Sequence, residues 1–297
     1  MTDWYREEAI MTEGTLENGR FAVSTWSLHR LLGAVYPYSP DPEKSPDSKE
    51  PYGPGRSSLI EIPKQLASNG IGRIEICSFH LPSLDRGYLQ EMQAALQEAD
   101  IMLQTLLVED GDPSHPETAK RDVEWIARWL EIAEVLGARN MRVIAGKQPP
   151  LRENLERSAR HLGWLARQAD NSAVRVVTEN WFDLLPSPTE TNWLLDTLEG
   201  KVGLNGDLGN WAAPAKYEGL RDIMRRAELC HAKANFNSSG LDGDDYRKVL
   251  EACRVAGYDG PYTLIYDSTF YADEWDGIRL EKAFIEEFHL DRRRAVG

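Results

Sequence analysis

Residues 174–180 read VRVVTEN, 202–207 VGLNGD, 228–234 ELCHAKA and 261–267 PYTLIYD. Each is a short apolar, β-rich run, and each carries polar or charged groups toward its end. Runs of this length and composition are what parallel strands buried on both faces look like. Upstream the same kind of run recurs as FAVST from Phe21, RIEICSF from Arg73, MLQTLLV from Met102 and NMRVIAG from Asn140. Amphipathic patterns separate the runs and predict helices over 60–67, 88–99, 117–136, 153–169, 189–198, 217–227, 244–256 and 274–288. In the third, Val123, Ile126, Ala127, Leu130 and Val135 fall on one stripe; in the fourth, Leu155, Leu162, Leu165 and Ala166 do. Strand and helix signals in alternation predict an α/β fold with a parallel sheet. Eight such units favour closure into a single (β/α)8 TIM barrel over a doubly wound open sheet, and 297 residues suit one barrel with a few long loops.

Three stretches are expected around that regular pattern: an N-terminal arm over 1–18, the barrel over 19–290 and a C-terminal tail over 291–297. The segment 33–58 is rich in proline (Pro37, Pro40, Pro42, Pro46, Pro51, Pro54) and carries Tyr36, Tyr38 and Tyr52. As a loop after strand one it lies on the C-terminal face of a barrel, where active sites are built. It is expected there either as a lid or as a surface insertion.

Composition narrows the function classes. With 34 Lys and Arg against 48 Asp and Glu, the formal charge is −14 and no basic patch is visible, so neither nucleic acid nor an anionic membrane surface is the expected partner. Cys77, Cys230 and Cys253 are few, scattered and without a CxxC pair, which argues against a disulfide framework and a thiolate zinc site. The N-terminal stretch does not read as a signal peptide, and no run of about 18 apolar residues is present. A cytoplasmic protein is expected.

The chemistry-bearing residues gather at four strand ends. Strand five delivers Glu179, strand six Asp207 and Asn210, and strand eight Asp267. On strand seven His231 and Lys233 are two residues apart and so share a face. In a barrel these strands are neighbours, and two carboxylates with an imidazole make a plausible divalent-metal site of Glu179, Asp207 and His231. An oxygen-rich set with one nitrogen suits Mn²⁺ or Mg²⁺, with Zn²⁺, Co²⁺ or Fe²⁺ also compatible.

With IEICSFH (74–80), RVIAG (142–146), TEN (178–180), GDLGNW (206–211), HAKA (231–234) and GYDGPYTLIYD (257–267) in this order, the chain resembles the xylose isomerase-like TIM-barrel superfamily of sugar phosphate isomerases and epimerases. The resemblance implies four metal ligands, one from each of strands five to eight. Glu179, Asp207 and His231 match the first three, and Lys233 matches the lysine of a His-x-Lys motif. Asn210 stands where a histidine is common. Glu75 and His80 also fall in matching places; as substrate-side groups they are weighed against a buried acid paired with a structural base for Glu75, and an even choice for His80. At the strand-eight glutamate the chain has Ile265, and Asp267, two residues on, is the only nearby carboxylate to replace it.

The activity implied is metal-dependent sugar isomerisation or epimerisation. Protons would move through a metal-stabilised enediolate of a small polyhydroxylated carbonyl substrate. Glu179, Asp267 and Lys233 would be the catalytic groups, and His80, Glu75, Asn210 and Tyr36 the substrate-binding ones. Dehydration of a keto-sugar or inosose is a neighbouring reaction. A non-catalytic sugar-binding barrel or subunit is the alternative, on the strength of Ile265. A homo-oligomer is compatible with the resemblance.

Overall fold

The computed structural model describes residues 18–44 and 47–296, the side chains of Asn18 and of 291–296 excepted. The barrel strands are β1 (Phe21–Ser24), β2 (Arg73–Cys77), β3 (Met102–Val108) and β4 (Asn140–Val143), then β5 (Arg175–Glu179), β6 (Gly203–Asp207), β7 (Ala227–Lys233) and β8 (Tyr262–Ile265). All neighbours pair in parallel, and β8 closes on β1. The helices that follow them are α1 (Ile62–Ser68), α2 (Arg86–Glu98), α3 (Ala119–Leu136) and α4 (Arg152–Gln168), then α5 (Pro188–Leu198), α6 (Ala215–Ile223), α7 (Gly243–Val255) and α8 (Glu274–Val296). The closed (β/α)8 barrel is therefore the fold, and every predicted strand run contributes one stave. A two-stranded hairpin, Phe236–Asn237 with Gly240–Leu241, caps the loop after β7.

The core forms where the apolar stripes of the helices meet the outer faces of the strands. Leu66, Met92, Ile126, Leu130 and Leu162 on the helices and Ile74, Ile76, Leu106, Met141 and Val176 on the strands belong to one buried cluster. Each buried side chain of this kind contributes roughly 1.5–3 kcal/mol by leaving water, and the eightfold repetition is what makes closure stable.

Boundaries differ from the sequence reading in places. The tail expected from 291 is instead the continuation of α8, which runs to Val296. The arm expected over 1–18, apart from Asn18, lies outside the described residues, as does Pro46. The Pro- and Tyr-rich segment leaves and returns through Gly33 and Gly55, whose backbones touch. Gly33 has φ +71°, and a Cβ there would sit 2.2 Å from the Gly55 nitrogen. No L-residue fits such a crossing without displacing it. The segment is pinned by a Val35–Lys49 bridge, by Tyr36 N–H donating to the Phe79 carbonyl, and by Tyr38 O–H donating to that of Leu81. Among the described residues no helix is long and apolar enough to cross a membrane.

Candidate metal centre

The C-terminal mouth of the barrel holds the cluster that the strand ends predict. Parallel register places Asp207 opposite His231, and Glu179 opposite Asn205 on β6. One ligand atom each from Glu179, Asp207 and His231 lies within 4.8 Å of the other two, and all three residues are buried. His231 Nδ1 is 3.6 Å from Glu179 Oε2 and 3.6 Å from Asp207 Oδ2. That is long for a hydrogen bond. It is close to the separation of two ligands on one ion with bonds of about 2.1–2.2 Å. Two carboxylate oxygens and one imidazole nitrogen thus fit a divalent cation in both spacing and donor chemistry.

The other imidazole nitrogen explains why His231 faces that way. Its Nε2–H donates to Glu75 Oε2 at 2.8 Å, which leaves the Nδ1 lone pair for an ion. Glu75 sits on β2 where the register shifts between Ile74 and Glu75, and such irregularities re-aim side chains. Gln104 and Thr105 donate to its other oxygen, each at 2.9 Å. Glu75 is completely buried, on the opposite side of His231 from the carboxylates of Glu179 and Asp207. Its carboxylate is thus taken up by the imidazole, Gln104 and Thr105, and it does not line the cavity; a carboxylate behind a ligating histidine fixes its tautomer and orientation.

Arg142 on β4 was not singled out by the sequence reading, where it appeared only inside RVIAG. It is buried, its Nη2–H donates to Glu109 Oε1 at 2.7 Å, and its Nε stands 3.1 Å from Glu179 Oε2. Asn210, which lines the cavity, donates its Nδ2–H to Glu179 Oε1 at 2.9 Å and so helps fix that carboxylate. Burial works to raise the Glu179 carboxyl, but the charges of His231 and Arg142 hold it down, to about 2. Burial likewise works against charge on His231, and Glu179 with Glu75 carries it well above the usual imidazole range while no ion is bound.

Lys233 and Ile265 pair in register and both line the cavity, beside Trp26, Trp181 and Glu109. Gly209 gives the lysine stem its passage, since a Cβ there would be 2.8 Å from its Cδ. The Lys233 ammonium donates to Asp267 Oδ2 at 2.6 Å. Asp267 is half-exposed and lies outside the cavity lining, so the structure does not bring it into the ligand cluster. The barrel has already ended at Ile265, and the chain beyond turns the shorter acid outward to the lysine.

The remaining expectations fall elsewhere. His80 Nδ1 meets Thr25 Oγ1 at 2.9 Å, and its Nε2 meets His29 Nδ1 at 3.3 Å. Both nitrogens are thus engaged inside the loop layer, and burial with the neighbouring His29 keeps the ring well below its usual pKa. His80 does not line the cavity. Tyr36 is also outside the lining; the aromatic wall comes from Trp26, just after β1, and Trp181, just after β5, whose rings meet edge-on at 6.4 Å. From the Pro- and Tyr-rich segment Tyr52 stacks on His29 at 4.4 Å, and His29 in turn meets Trp26 edge-on at 4.9 Å. A tryptophan directly after a strand was the signal available for Trp26 and Trp181.

A parallel eight-stranded barrel with a carboxylate–imidazole cluster at its C-terminal mouth defines a class: barrels whose mouth carries a group of side chains able to hold a metal ion. Within that class the xylose isomerase-like TIM barrel family matches residues 63–287, and the chain belongs to it. Among solved structures it resembles the 3-keto-D-glucoside 4-epimerase from E. coli in apo form, with TM-score 0.65, 14% identity, and 91% of this chain and 99% of that one covered. It also resembles an L-ribulose 3-epimerase, with TM-score 0.67, 16% identity and coverages of 93% and 97%. A third is the D-allulose 3-epimerase from Methylomonas sp. in complex with D-allulose, with TM-score 0.66, 15% identity and coverages of 93% and 99%. At these identities the likeness is one of fold. No curated protein matches the chain.

Proposed function

We propose that the chain is a divalent-metal-dependent enzyme of the isomerase and epimerase type, acting on a small polyhydroxylated carbonyl compound. The observation that carries this reading is the buried Glu179–Asp207–His231 cluster opening into a cavity walled by Trp26 and Trp181. The sugar epimerases of the same fold support the substrate class. Glu179, Asp207 and His231 Nδ1 would hold the ion, and Mn²⁺ or Mg²⁺ suits the donor set best, with Zn²⁺, Co²⁺ and Fe²⁺ in reach. When bound, the ion supplies Lewis-acid polarisation of a carbonyl and an adjacent hydroxyl.

The protein's own residues supply the rest. Glu179 is the base that takes the proton from carbon beside the carbonyl, leaving an enediolate. Arg142 and Asn210 keep that carboxylate ionised and fixed. Lys233 and Arg142 offer N–H donors to the oxygen on which charge develops. Asp267 acts through Lys233, holding its ammonium in place. The two tryptophans shield the site from water and present apolar faces to the C–H side of a sugar.

Ile265 supports a second reading, a barrel that binds a sugar without turning it over, because an isoleucine stands where a fourth ligand and second acid would be. One experiment separates the two. Protein purified without added metal is analysed for bound ions, then incubated with Mn²⁺ and a panel of ketoses, inososes and keto-sugars in D₂O. Loss of a carbon-bound proton to solvent, followed by NMR and abolished in Glu179→Gln, supports the enzyme. Tight binding of a sugar with no exchange anywhere supports the binding protein.

A further inference from the structure

Glu109 directly follows β3, and none of the roles above uses it. Its Oε1 accepts from Arg142 Nη2, and its Oε2 is buried with no hydrogen-bond partner, although the residue lines the cavity. Arg142 Nη1 is in the same condition. A buried acceptor and a buried donor left open beside one cavity are what a substrate hydroxyl would satisfy, since a polar group buried unpaired forfeits its hydration without compensation. Arg142 uses adjacent nitrogens, Nη2 and Nε, for Glu109 and Glu179, so one guanidinium holds both carboxylates on its side of the site.

The far side differs. In the ring of eight strands β8 lies three strands from β3 and three from β5. Its cavity-facing residue is Ile265, 4% exposed. The cavity's carboxylates, Glu109, Glu179 and Asp207, come from β3, β5 and β6. Lys233, next to Ile265, is engaged by Asp267. Inverting a carbon needs a proton to leave one face and another to arrive on the opposite face, whereas moving a carbonyl to the adjacent carbon needs one face only.

We infer that proton transfer in this site runs on a single face, with Glu179 and Glu109 as the working carboxylates, so that the reaction is a 1,2-aldose–ketose isomerisation and not an epimerisation. The inference rests on the proposed function. Glu179 takes the C2 proton; the C–H electron pair becomes the C1–C2 double bond, and the carbonyl π pair moves to O1. Glu109 accepts the O2 proton and delivers it to O1, and the O2 pair re-forms a carbonyl at C2. Glu179 returns its proton to C1 on the same face. One proton has moved from C2 to C1 and one from O2 to O1, with no oxidant or reductant.

The test uses the Mn²⁺-loaded full chain with D-xylose, D-glucose, D-ribulose and D-fructose in D₂O, products resolved by NMR. Aldose–ketose interconversion with no epimer of the starting sugar is the expected result, and deuterium that enters when the proton held by Glu179 exchanges with solvent takes one configuration. An epimer formed at the exchanging carbon overturns the inference while leaving the proposed function standing, and makes Lys233 the acid on the Ile265 side. Neither interconversion nor exchange with any of the four sugars overturns the inference; the proposed function falls with it only if the inososes and other keto-sugars show no exchange either. Glu109→Gln is expected to slow isomerisation by about 10²-fold or more, while exchange of the C2 proton persists through Glu179 and Mn²⁺ affinity by calorimetry stays within about threefold. Glu109→Asp, which keeps the charge beside Arg142, is expected to recover part of the loss. Exchange and isomerisation falling in parallel in both variants would remove Glu109 from the chemistry. Ile265→Glu, which puts a carboxylate on the second face, is expected to introduce epimer.

Discussion

Replacing Arg142 with methionine removes the one guanidinium that faces both Glu109 and Glu179 and substitutes an apolar chain of similar length. Arg142 is 2% exposed and Glu179 is equally buried, so the abandoned carboxylates gain little solvation beyond what the cavity admits. Breaking a buried ion pair by deleting one partner typically costs about 3–5 kcal/mol. His231 still faces Glu179, which places the expected loss at the lower end, about 3 kcal/mol. The unfolding entropy of a chain of 297 residues, at roughly 2.1 cal/mol/K per residue, is about 0.6 kcal/mol/K. The variant should therefore melt about 5 °C below wild type in calorimetry at pH 7 with EDTA present. Saturating Mn²⁺ should narrow the gap by covering Glu179. The double variant Arg142→Met/Glu109→Gln should regain part of the loss, because the penalty comes from orphaned charge. A single variant within 1 °C of wild type, or a double variant no better than the single, would refute this account of the site.

Other expectations follow from individual contacts. Glu75→Gln should weaken Mn²⁺ binding about 10–100-fold by calorimetry, the usual cost of losing the group behind a ligating histidine; unchanged affinity would show that His231 needs no such support. Asp267→Asn should lower turnover less than about tenfold, since this carboxylate touches only the lysine, whereas a drop near 10²-fold would restore a strand-eight acid to the mechanism. Glu281 on α8 is fully buried, and burial holds its carboxyl well above the usual range against the pull of Lys233, with Tyr246 and Asp267 also nearby. A raised folded-state pKa means stability is intact below the unfolded pKa near 4.3 and declines as pH rises toward the folded value. Glu281→Gln should therefore melt higher than wild type by a margin that grows from pH 5 to pH 8, by at most about 1.4 kcal/mol per pH unit; a margin independent of pH would count against a neutral acid at this position.

Local order in the chain was enough to determine the barrel and the three candidate ligands. Eight apolar runs alternating with amphipathic stripes specify parallel staves, and barrel closure then carries the polar ends of β5, β6 and β7 to one mouth whatever else the chain does. Ile265 was legible only through the family resemblance, as a departure from the glutamate that the resemblance implies on strand eight. What tertiary structure alone decided is how those groups are partnered. Glu75 and His231 are 156 residues apart, and whether that acid meets substrate or imidazole depends on a register shift in β2 that no local pattern encodes. Arg142 in a strand reads locally as one more charged residue, and its burial is tolerable only because carboxylates from β3 and β5 converge on it. The direction of Asp267 and the enclosure of His80 were set the same way, by side chains from distant segments competing for the same few hydrogen bonds. Periodicity fixes which face a residue occupies, while pairing among buried charges is a property of the assembled mouth, where desolvation makes each group take whichever partner the fold brings within reach.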